Sequence, residues 1–453
     1  MKKRGSFSGK LGYVLAAAGS AVGLGNIWRF PYLAAEYGGG IFLIIYIILA
    51  LTFGYTMIVA ETAMGRYTGK SSVVAFLHFG KKPVNYVGGF INLIIPLLIV
   101  PYYSVIGGWV CKYLVEYIRG SKNALASDDY FGGFISNGVQ SEVYFIIFAL
   151  MALIVIAMGV RSGVERVSKF MMPVLVVLSV IIAIYSMTRP GAIAGVAYFL
   201  IPNPTNFKWQ TVVSAMQQMF YSLSIAMGIL ITYGSYMHKD VSIDESTRQL
   251  EVFDTAIAMM AGLMIIPAVF AFSNGDPGML KSGPSLMFIT MPKIFASMGI
   301  GTPMGILFFV LVLFAALTSA ISLLEAVVST LEDVWHWKRL VATIITGIVM
   351  LLLGSLSALG YGPLSGVTII GKQFLDFFDF ITNNLMMPVS ALITCYVVVK
   401  YWKVSELAKE VTVDGASFGR RKIFDVMIRY IAPVFLVVIL VSGVLAAFGV
   451  ITI

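Results

Sequence analysis

Charged side chains are scarce in this chain of 453 residues. Only 12% of the residues are Asp, Glu, Lys or Arg, whereas 59% are hydrophobic, and the mean hydropathy is +0.91. A soluble domain carries about 25% charged residues. The composition therefore excludes an ordinary soluble domain. It indicates a chain that lies mostly in an apolar solvent, and no linker divides it, so we expect a single transmembrane domain over residues 1–453.

Cysteine and histidine are also rare. Cys111 and Cys395 both lie in apolar stretches, and the three histidines are scattered near loops, which argues against a structural disulfide and a Cys/His metal site. The sequence shows no nucleophile paired with a base and no phosphate-binding loop, so we do not expect an enzyme. The net charge of +9 has no basic cluster apart from hydrophobic flanks, which argues against nucleic acid as a partner.

Long hydrophobic runs make up most of the chain instead. A membrane-spanning helix needs about 20 apolar residues, and eleven runs have a length near or above this. We number them as predicted spans 1 to 11, over residues 11–36, 39–65, 84–118, 142–160, 166–188, 209–236, 250–273, 303–331, 340–358, 374–402 and 424–451.

The distribution of basic residues predicts the orientation. If the N-terminus is cytoplasmic, 22 of the 31 Lys and Arg residues fall in inside segments, as basic residues do in membrane proteins. Eleven spans then place the C-terminus outside. The outer loops would be residues 119–141, 189–208, 274–302 and 359–373, and we expect the apolar pieces of 274–302 to fold back as a short helical hairpin.

Span 1 contains an unusual concentration of glycine. Gly19, Gly23 and Gly25 lie within seven residues, and Asn26 follows them. Glycine costs about 1 kcal/mol relative to alanine in a helix, so this segment is predicted to open. The alternative is close helix packing, in which Ser20 and Gly23 form a seam of small residues.

Span 6 carries a polar cluster at the middle of the membrane, formed by Gln217, Gln218, Ser222 and Ser224. Such groups must be satisfied internally and usually line a site. Spans 1 and 6 stand five helices apart, which predicts two inverted repeats (residues 8–188 and 208–403) and an appended span 11. Interrupted helices at matching positions of two repeats are typical of a carrier's binding site.

The chemistry of two such breaks is specific. A half-helix N-terminus offers free N–H groups and a positive dipole end, which suit a carboxylate. Freed carbonyl groups and an amide such as that of Asn26 suit a hard cation such as Na⁺. Hydroxyl groups of span 8 lie on one helical stripe and would complete an oxygen-only site, although ordinary interhelical hydrogen bonding is the alternative; the stripe is Ala315, Thr318, Ser319, Ser322 and Leu323.

Few ionisable residues lie inside the predicted spans, and each is a functional candidate because its burial in a membrane is costly. Among them we single out Arg29, Glu61, Asp254, Glu325, Asp376 and Asp379. Arg29 follows the predicted break of span 1, and the two aspartates lie near the outer end of span 10. An Arg–Asp pair there is either a gate above the site or a static ion pair.

Several motifs together resemble the neurotransmitter:sodium symporter family. They are GSAVGLGNIWRFP at 19–31, GGG at 38–40, ETAMGRYTG at 61–69, FYSLSIAMGILITYGSY at 220–236 and FAALTSAISLLEAVVSTLEDVW at 314–335. The likeness covers nearly the whole chain and is greatest to bacterial hydrophobic amino-acid transporters with eleven helices.

The resemblance implies a leucine-transporter-like fold: all-α, polytopic, with eleven transmembrane helices, a 5+5 inverted repeat and discontinuous spans 1 and 6. It implies alternating-access symport of a hydrophobic L-amino acid with two sodium ions in a bacterial-type plasma (inner) membrane. The oligomeric state stays open. A non-transporting amino-acid sensor and an ion channel are the alternatives, but a channel needs a continuous polar pore, whereas the polar groups here cluster at one depth.

The resemblance also implies roles for individual residues. The first sodium site would use Ala21, Asn26, Ser222 and Asp254, and the second would use Gly19, Val22, Ala315, Thr318 and Ser319. The substrate would contact Ala21, Gly23, Leu24, Gly25, Ile99, Tyr103, Tyr221, Ser222, Ser224, Met227, Ser319 and Leu323. Arg29 and Asp379 would form an outer gate, with Tyr103 and Tyr221 as its lid; the inner gate would be Arg4, Phe7, Tyr236 and Asp333.

Five positions refine these expectations. Asp254 stands where the family usually has Asn and supplies a fixed negative charge, so we expect no chloride requirement. Met227 stands where the leucine transporter has Phe, which predicts a pocket for aromatic as well as aliphatic side chains. Gly23 replaces the Asp of amine-transporting relatives and indicates amino-acid substrates. In span 5, Gly163 and Pro173 predict unwinding of the cytoplasmic half, with a static kink as the alternative.

Overall fold

Helices account for nearly all the regular structure. The structure is a computed structural model, and it describes residues 5–273, 275 and 283–451. Within that part of the chain, extended pairing is limited to two isolated bridges, Gly39 with Pro202 and Ile369 with Lys372. The predicted all-α class is confirmed.

Nine continuous helices in the described ranges are long and apolar enough to cross a membrane. They correspond to nine predicted spans: span 2 is Gly40–Thr68, span 3 Pro83–Ile118, span 4 Gly138–Ala157, span 5 Val160–Met187, span 7 Ile243–Phe272, span 8 Gly301–Trp335, span 9 Arg339–Leu359, span 10 Phe374–Trp402 and span 11 Arg421–Ala447. Span 3 keeps its helix through Pro96 and Pro101.

Spans 1 and 6 are interrupted, as predicted. Span 1 consists of Lys10–Ala21 and Gly25–Glu36, which meet at a bend of 54° and count together as a tenth crossing. Span 6 consists of Trp209–Ser222 and Ile229–Gly234, with 14 and 6 residues. Neither half of span 6 has the length of about 20 residues that a crossing needs, so the count of eleven stays a prediction.

Short helices connect the spans. They are Ser72–His78, Lys122–Leu125, Asp128–Ser136, Ala192–Leu200 and Val404–Val411, together with the apolar helix Leu286–Ser297. The last of these lies in the segment 274–302 for which a hairpin is predicted. Residues 274 and 276–282 lie outside the described part, so the structure describes one helix of the predicted hairpin, Leu286–Ser297.

The interior of the bundle is formed by spans 3 and 8, each of which buries 72% of its apolar window against protein, whereas span 11 buries 28%. Every residue of span 8 from Ala315 to Thr330 is buried. Span 11 is therefore peripheral, and span 8 is placed to contact both interrupted spans. This position puts the predicted hydroxyl stripe at the centre of the molecule.

Glycine permits the second half of span 6 to pack directly on span 2. A Cβ atom at Gly65 would lie 1.9 Å from the carbonyl oxygen of Ile231, and one at Gly234 would lie 2.3 Å from that of Thr62. Small residues allow such close backbone approach in membrane helices. The short half-helix is thereby held against a full-length span.

Candidate functional site

The two helix breaks leave peptide groups free at the centre of the bundle. In span 1 the helix ends at Ala21, and Val22 departs from it with ψ of 88°. In span 6 the break covers residues 223–228 and contains left-handed residues, with φ of 54° at Ser224, 62° at Ala226 and 70° at Gly228. Non-glycine residues with such φ values are uncommon and cost energy, which points to a functional segment.

Side chains satisfy the freed groups of span 1. The N–H of Gly23 donates to Oδ1 of Asn26 at 3.3 Å, and the N–H of Leu24 donates to the hydroxyl of Tyr103 at 3.3 Å. The hydroxyl of Ser319 donates to the carbonyl oxygens of Gly19 and Ser20, at 3.3 and 3.1 Å. These long hydrogen bonds mark backbone groups that a bound ligand can take over.

The break in span 6 is held from two other spans. Glu61 of span 2 is fully buried and accepts the N–H of Ala226 at 2.8 Å, while its second carboxylate oxygen has no partner among the described residues. Ser224 donates to the carbonyl oxygen of Ser20 at 3.1 Å, and Gln218 donates to that of Gly25 at 2.9 Å. The two breaks are therefore linked directly to each other.

A cavity lies between the breaks. It is lined by all twelve residues predicted to contact the substrate and by two more, Ser20 and Ile229. A Cβ atom on Gly23 would lie 2.6 Å from the Ser319 hydroxyl and 3.1 Å from that of Tyr103, so a larger residue would intrude on this space. The structure brings the predicted set together, and its role in substrate binding stays a prediction.

A buried carboxylate lies at the edge of this cavity. Asp254 of span 7 is fully buried and accepts hydrogen bonds from the Asn26 amide at 2.8 Å, the Ser222 hydroxyl at 2.7 Å and the Tyr46 hydroxyl at 2.7 Å. No Lys or Arg nitrogen of the described residues lies within 4.0 Å of it. A buried charge without a cationic partner is costly, so this cluster is suited to receive a cation.

Neutral oxygens gather where span 1 meets span 8. The hydroxyl of Thr318 donates to the carbonyl oxygens of Phe314 and Ala315, at 2.9 and 3.2 Å, while Ser319 reaches Gly19. Val22 is fully buried at the adjacent break. Among the described residues, no three His, Cys, Asp or Glu side chains form a group that could hold a metal. Any cation here would be held by carbonyl and hydroxyl groups, a set suited to a hard ion.

Comparison with known proteins identifies the family. A family model described as the sodium:neurotransmitter symporter family matches residues 4–124 and 134–449. The chain belongs to this family. A sodium-dependent transporter of Bacillus subtilis is 34% identical over 442 residues, which cover 96% of this chain and 97% of the relative. One from Haemophilus influenzae is 32% identical and covers 98% of both chains.

Two further similar proteins are informative about the fold and the ion dependence of the family. The crystal structure of MhsT in complex with L-phenylalanine matches with a TM-score of 0.87 and 37% identity, covering 97% of this chain and 100% of MhsT. A sodium- and chloride-dependent GABA transporter 2 of Bos taurus is 28% identical over 74% of this chain and 62% of the relative. The resemblance read from the motifs is confirmed: this is a sodium-dependent symporter of the family, it crosses the membrane several times, and its relatives are transporters.

One aromatic ring borders both the central cavity and a second cavity on its predicted outer side. Tyr221 lines the central cavity and also a second, small one, which Arg29 and Asn383 line as well. The Arg29 guanidinium lies 5.5 Å from the centre of the Tyr221 ring. Asp379 instead accepts from Tyr102 at 3.1 Å and from Asn383. The predicted gate residues Arg29 and Asp379 are thus in one region but form no ion pair within 4.0 Å.

On the predicted inner side, aromatic rings pack together around Phe7. Phe7 is 1% exposed and packs edge-to-face on Tyr13, Tyr233 and Tyr236 at centroid distances of 6.0, 5.5 and 5.8 Å. Its N–H donates to the carbonyl oxygen of Tyr236 at 3.2 Å. Tyr236 in turn donates to Glu325 at 2.7 Å.

Asp333, another predicted inner-gate residue, contacts the segment that follows span 2. Asp333 accepts from the N–H of Ser71 at 2.8 Å and lies 3.5 Å from the Lys70 ammonium. Arg4, the fourth predicted inner-gate residue, lies outside the described residues.

Span 5 of the symporter is helical over the segment that is predicted to unwind. A π-helix covers Val160–Glu165, which includes Gly163, and an α-helix follows over Arg166–Met187, which includes Pro173. A Cβ atom on Gly163 would lie 2.1 Å from the carbonyl oxygen of Val155, so the turn packs tightly on span 4. The unwinding stays a prediction about another state.

Tyr46 is a residue next to the site that sequence reasoning did not find. It lies in the apolar run GIFLIIYIIL of span 2, and its hydroxyl is the third donor to Asp254. The only signal in the sequence is a lone hydroxyl within an otherwise aliphatic run. Glu61 was singled out as a candidate, but its contact with Ala226 joins residues far apart in sequence and could not be anticipated.

Proposed function

We propose that this symporter couples the inward movement of sodium to uptake of hydrophobic L-amino acids, aliphatic and aromatic, by alternating access and without chloride. The observation that carries the proposal is the fully buried Asp254 beside a cavity between two broken spans. A zwitterion and sodium ions together would satisfy both the freed peptide groups and the unpaired charge.

The cavity suits the two ends of an amino acid. The substrate carboxylate would replace the hydrogen bond that the N–H of Leu24 now makes with the hydroxyl of Tyr103. The side chain would lie against the apolar residues Ile99, Met227 and Leu323. Because Met is unbranched and adaptable, this wall would accept large aromatic groups. MhsT, which the chain resembles, is described in complex with L-phenylalanine.

Two sodium sites would accompany the substrate. The first would use Ala21, Asn26, Ser222 and Asp254 with the substrate carboxylate, and the second would use Gly19, Val22, Ala315, Thr318 and Ser319. The first site couples substrate to sodium, because the ion would contact the substrate's own charge. The second site contains neutral groups, so its ion is held by dipoles alone.

Chloride independence rests on the same carboxylate. The GABA transporter relative is described as chloride-dependent. In this chain Asp254 already provides a negative charge that three donors hold in place. An added anion would face like-charge repulsion there.

Alternating access would use the two closures in turn. Tyr221, Tyr103, Arg29 and Asp379 would open outward, and the layer around Phe7 would open inward as the Gly163–Pro173 segment unwinds. We infer a bacterial inner-membrane location with a cytoplasmic N-terminus and an outer C-terminus, because the basic residues favour that orientation.

Proteoliposome uptake tests the proposal. An imposed inward sodium gradient should drive accumulation of L-phenylalanine and L-leucine, equally in chloride and in gluconate, and a potassium gradient should not. Binding without accumulation would indicate a sensor, and a single-channel conductance would indicate a channel. Uptake that is lost in gluconate would refute chloride independence, and uptake of leucine-sized substrates alone would refute the role of Met227.

A further inference from the structure

An open apolar groove lies on the outside of the bundle, between the end of span 4, the start of span 5 and span 8. It is much larger than the central cavity. Its walls include Ile154, Met158, Phe170, Met171, Phe314 and Leu317. The groove is separate from the substrate site already described.

The groove has exposed rims and a buried floor. Ile154, Met158 and Phe170 are 61%, 50% and 65% exposed, whereas Met171 and Leu317 are each 7% exposed. In a chain that crosses the membrane, the exposed apolar rims face lipid. An occupant that follows the groove must therefore be an apolar chain.

One end of the groove is basic. Arg166 lines the groove and is exposed, and Arg161, also exposed, lies one π-helical turn earlier. Neither arginine forms an ion pair within 4.0 Å with a described residue. The neighbouring Lys169 is instead paired with Glu165 at 2.6 Å. One uncompensated arginine, Arg166, therefore lines the apolar groove, and a second, Arg161, precedes it by one helical turn.

The position of this mouth matches the side of the membrane that carries basic segments. Glu165 accepts the N–H of Ser8 at 2.9 Å, which places this end of span 5 beside the N-terminal segment. That segment is predicted to be cytoplasmic. Basic pockets between membrane helices on the cytoplasmic side bind anionic headgroups.

We propose that this groove binds one anionic phospholipid, with an acyl chain along Phe170, Phe314 and Leu317 and the phosphate at Arg166 and Arg161. The walls accept any acyl chain, so the arginines provide the preference for an anionic lipid. The proposal concerns lipid binding alone and stands or falls independently of the transported substrate.

Fluorescence quenching in nanodiscs tests the site. The full-length Phe170→Trp variant would be placed in bilayers of phosphatidylglycerol and phosphatidylcholine, with the acyl chains of one lipid brominated at a time. Brominated phosphatidylglycerol should quench the introduced indole more strongly at equal mole fraction, after subtraction of wild-type emission. Adding Arg166→Gln to this variant should raise the phosphatidylglycerol fraction for half-maximal quenching about five-fold.

A matched control is available on span 11. Tyr430 is 67% exposed and follows the exposed Arg429, so it combines an aromatic residue and an arginine outside the groove. In Tyr430→Trp the two brominated lipids should quench equally. Equal quenching by both lipids at position 170, the same anionic preference at position 430, or protection of position 170 from both lipids by a second copy of the chain would each overturn the proposal.

Discussion

The two ends of the central cavity are closed in different ways. The inner closure is a buried layer in which Phe7 packs on three tyrosine rings and Tyr236 is tied to Glu325. The outer closure is a single ring, Tyr221, with cavities on both sides of it.

The ion pairing differs in the same sense. On the inner side Arg339 pairs with Glu325, whereas on the outer side Arg29 and Asp379 are not joined. The difference teaches that the predicted inner path is blocked by a packed aromatic core, whereas on the predicted outer side Tyr221 borders two cavities and the charged residues are not joined. Variants that weaken each closure test whether the inner one is harder to open than the outer one.

Removal of the central ring of the inner closure should have the largest effect. Phe7→Ala deletes a buried aromatic side chain, a change that costs about 3–5 kcal/mol in a packed core. The inward-open state should gain a factor of about 100 or more. This gain is measured by the rate at which a thiol reagent, added on the inner side, labels a cysteine introduced in place of the buried Ser322.

The control for that experiment is Phe448→Ala, because Phe448 is 62% exposed at the end of span 11. It should leave the labelling rate unchanged. Equal labelling in Phe7→Ala and wild type would show that the aromatic layer is not the inner closure.

Span 5 is the next test of the inner path. Pro173→Ala restores a helix hydrogen-bond donor and removes a steric clash, which together are worth up to about 3 kcal/mol in a helix interior. If the cytoplasmic half must unwind, sodium release to the inside should slow about ten-fold. Rapid-mixing release of radioactive sodium measures this, and an unchanged rate would favour a static kink.

The hydroxyl of Tyr236 should contribute less. Tyr236→Phe keeps the ring that packs on Phe7 and removes only the 2.7 Å hydrogen bond to Glu325. Hydrogen bonds to charged groups are worth about 1.5–3 kcal/mol, but Arg339 remains to hold the carboxylate. We expect about a five-fold increase in the labelling rate of Ser322→Cys. A change as large as that of Phe7→Ala would show that ring packing does not contribute more to the inner closure than this hydrogen bond.

The outer closure should give the smallest response. Arg29→Gln removes the contact of the guanidinium with the Tyr221 ring, and such contacts contribute about 0.5–2 kcal/mol. The substrate should dissociate outward about three-fold faster, as measured by release of bound L-phenylalanine. An effect larger than that of Phe7→Ala would show that the outer closure, and not the inner one, is the harder to open.

The sequence predicted some of these features because their causes are local. The glycines from Gly19 to Gly25 weaken one helix wherever it lies, and the polar cluster around Ser222 marks the other, so both interruptions were predicted. Nine continuous spans followed from hydrophobic length alone.

Other features depend on contacts between distant residues. The donation of Tyr46 to Asp254 and of Ala226 to Glu61 joins segments 208 and 165 residues apart, and no local pattern encodes it. The individual site residues came from the family resemblance, and the structure gathers the predicted substrate set around one cavity. The unpaired Arg29 and Asp379 reflect the state of the gate, which composition and periodicity do not specify.

The most direct test of the account is a sodium titration of L-phenylalanine binding in chloride-free buffer, comparing wild type with Asp254→Asn. Asp376→Asn, at an exposed aspartate of span 10, is the control. If the buried carboxylate is the charge that sodium neutralises, the half-saturating sodium concentration should rise at least about ten-fold in Asp254→Asn, since a hydrogen-bonded charge contributes about 1.5–3 kcal/mol. It should not move in the control, and an unchanged sodium dependence in Asp254→Asn would contradict the account.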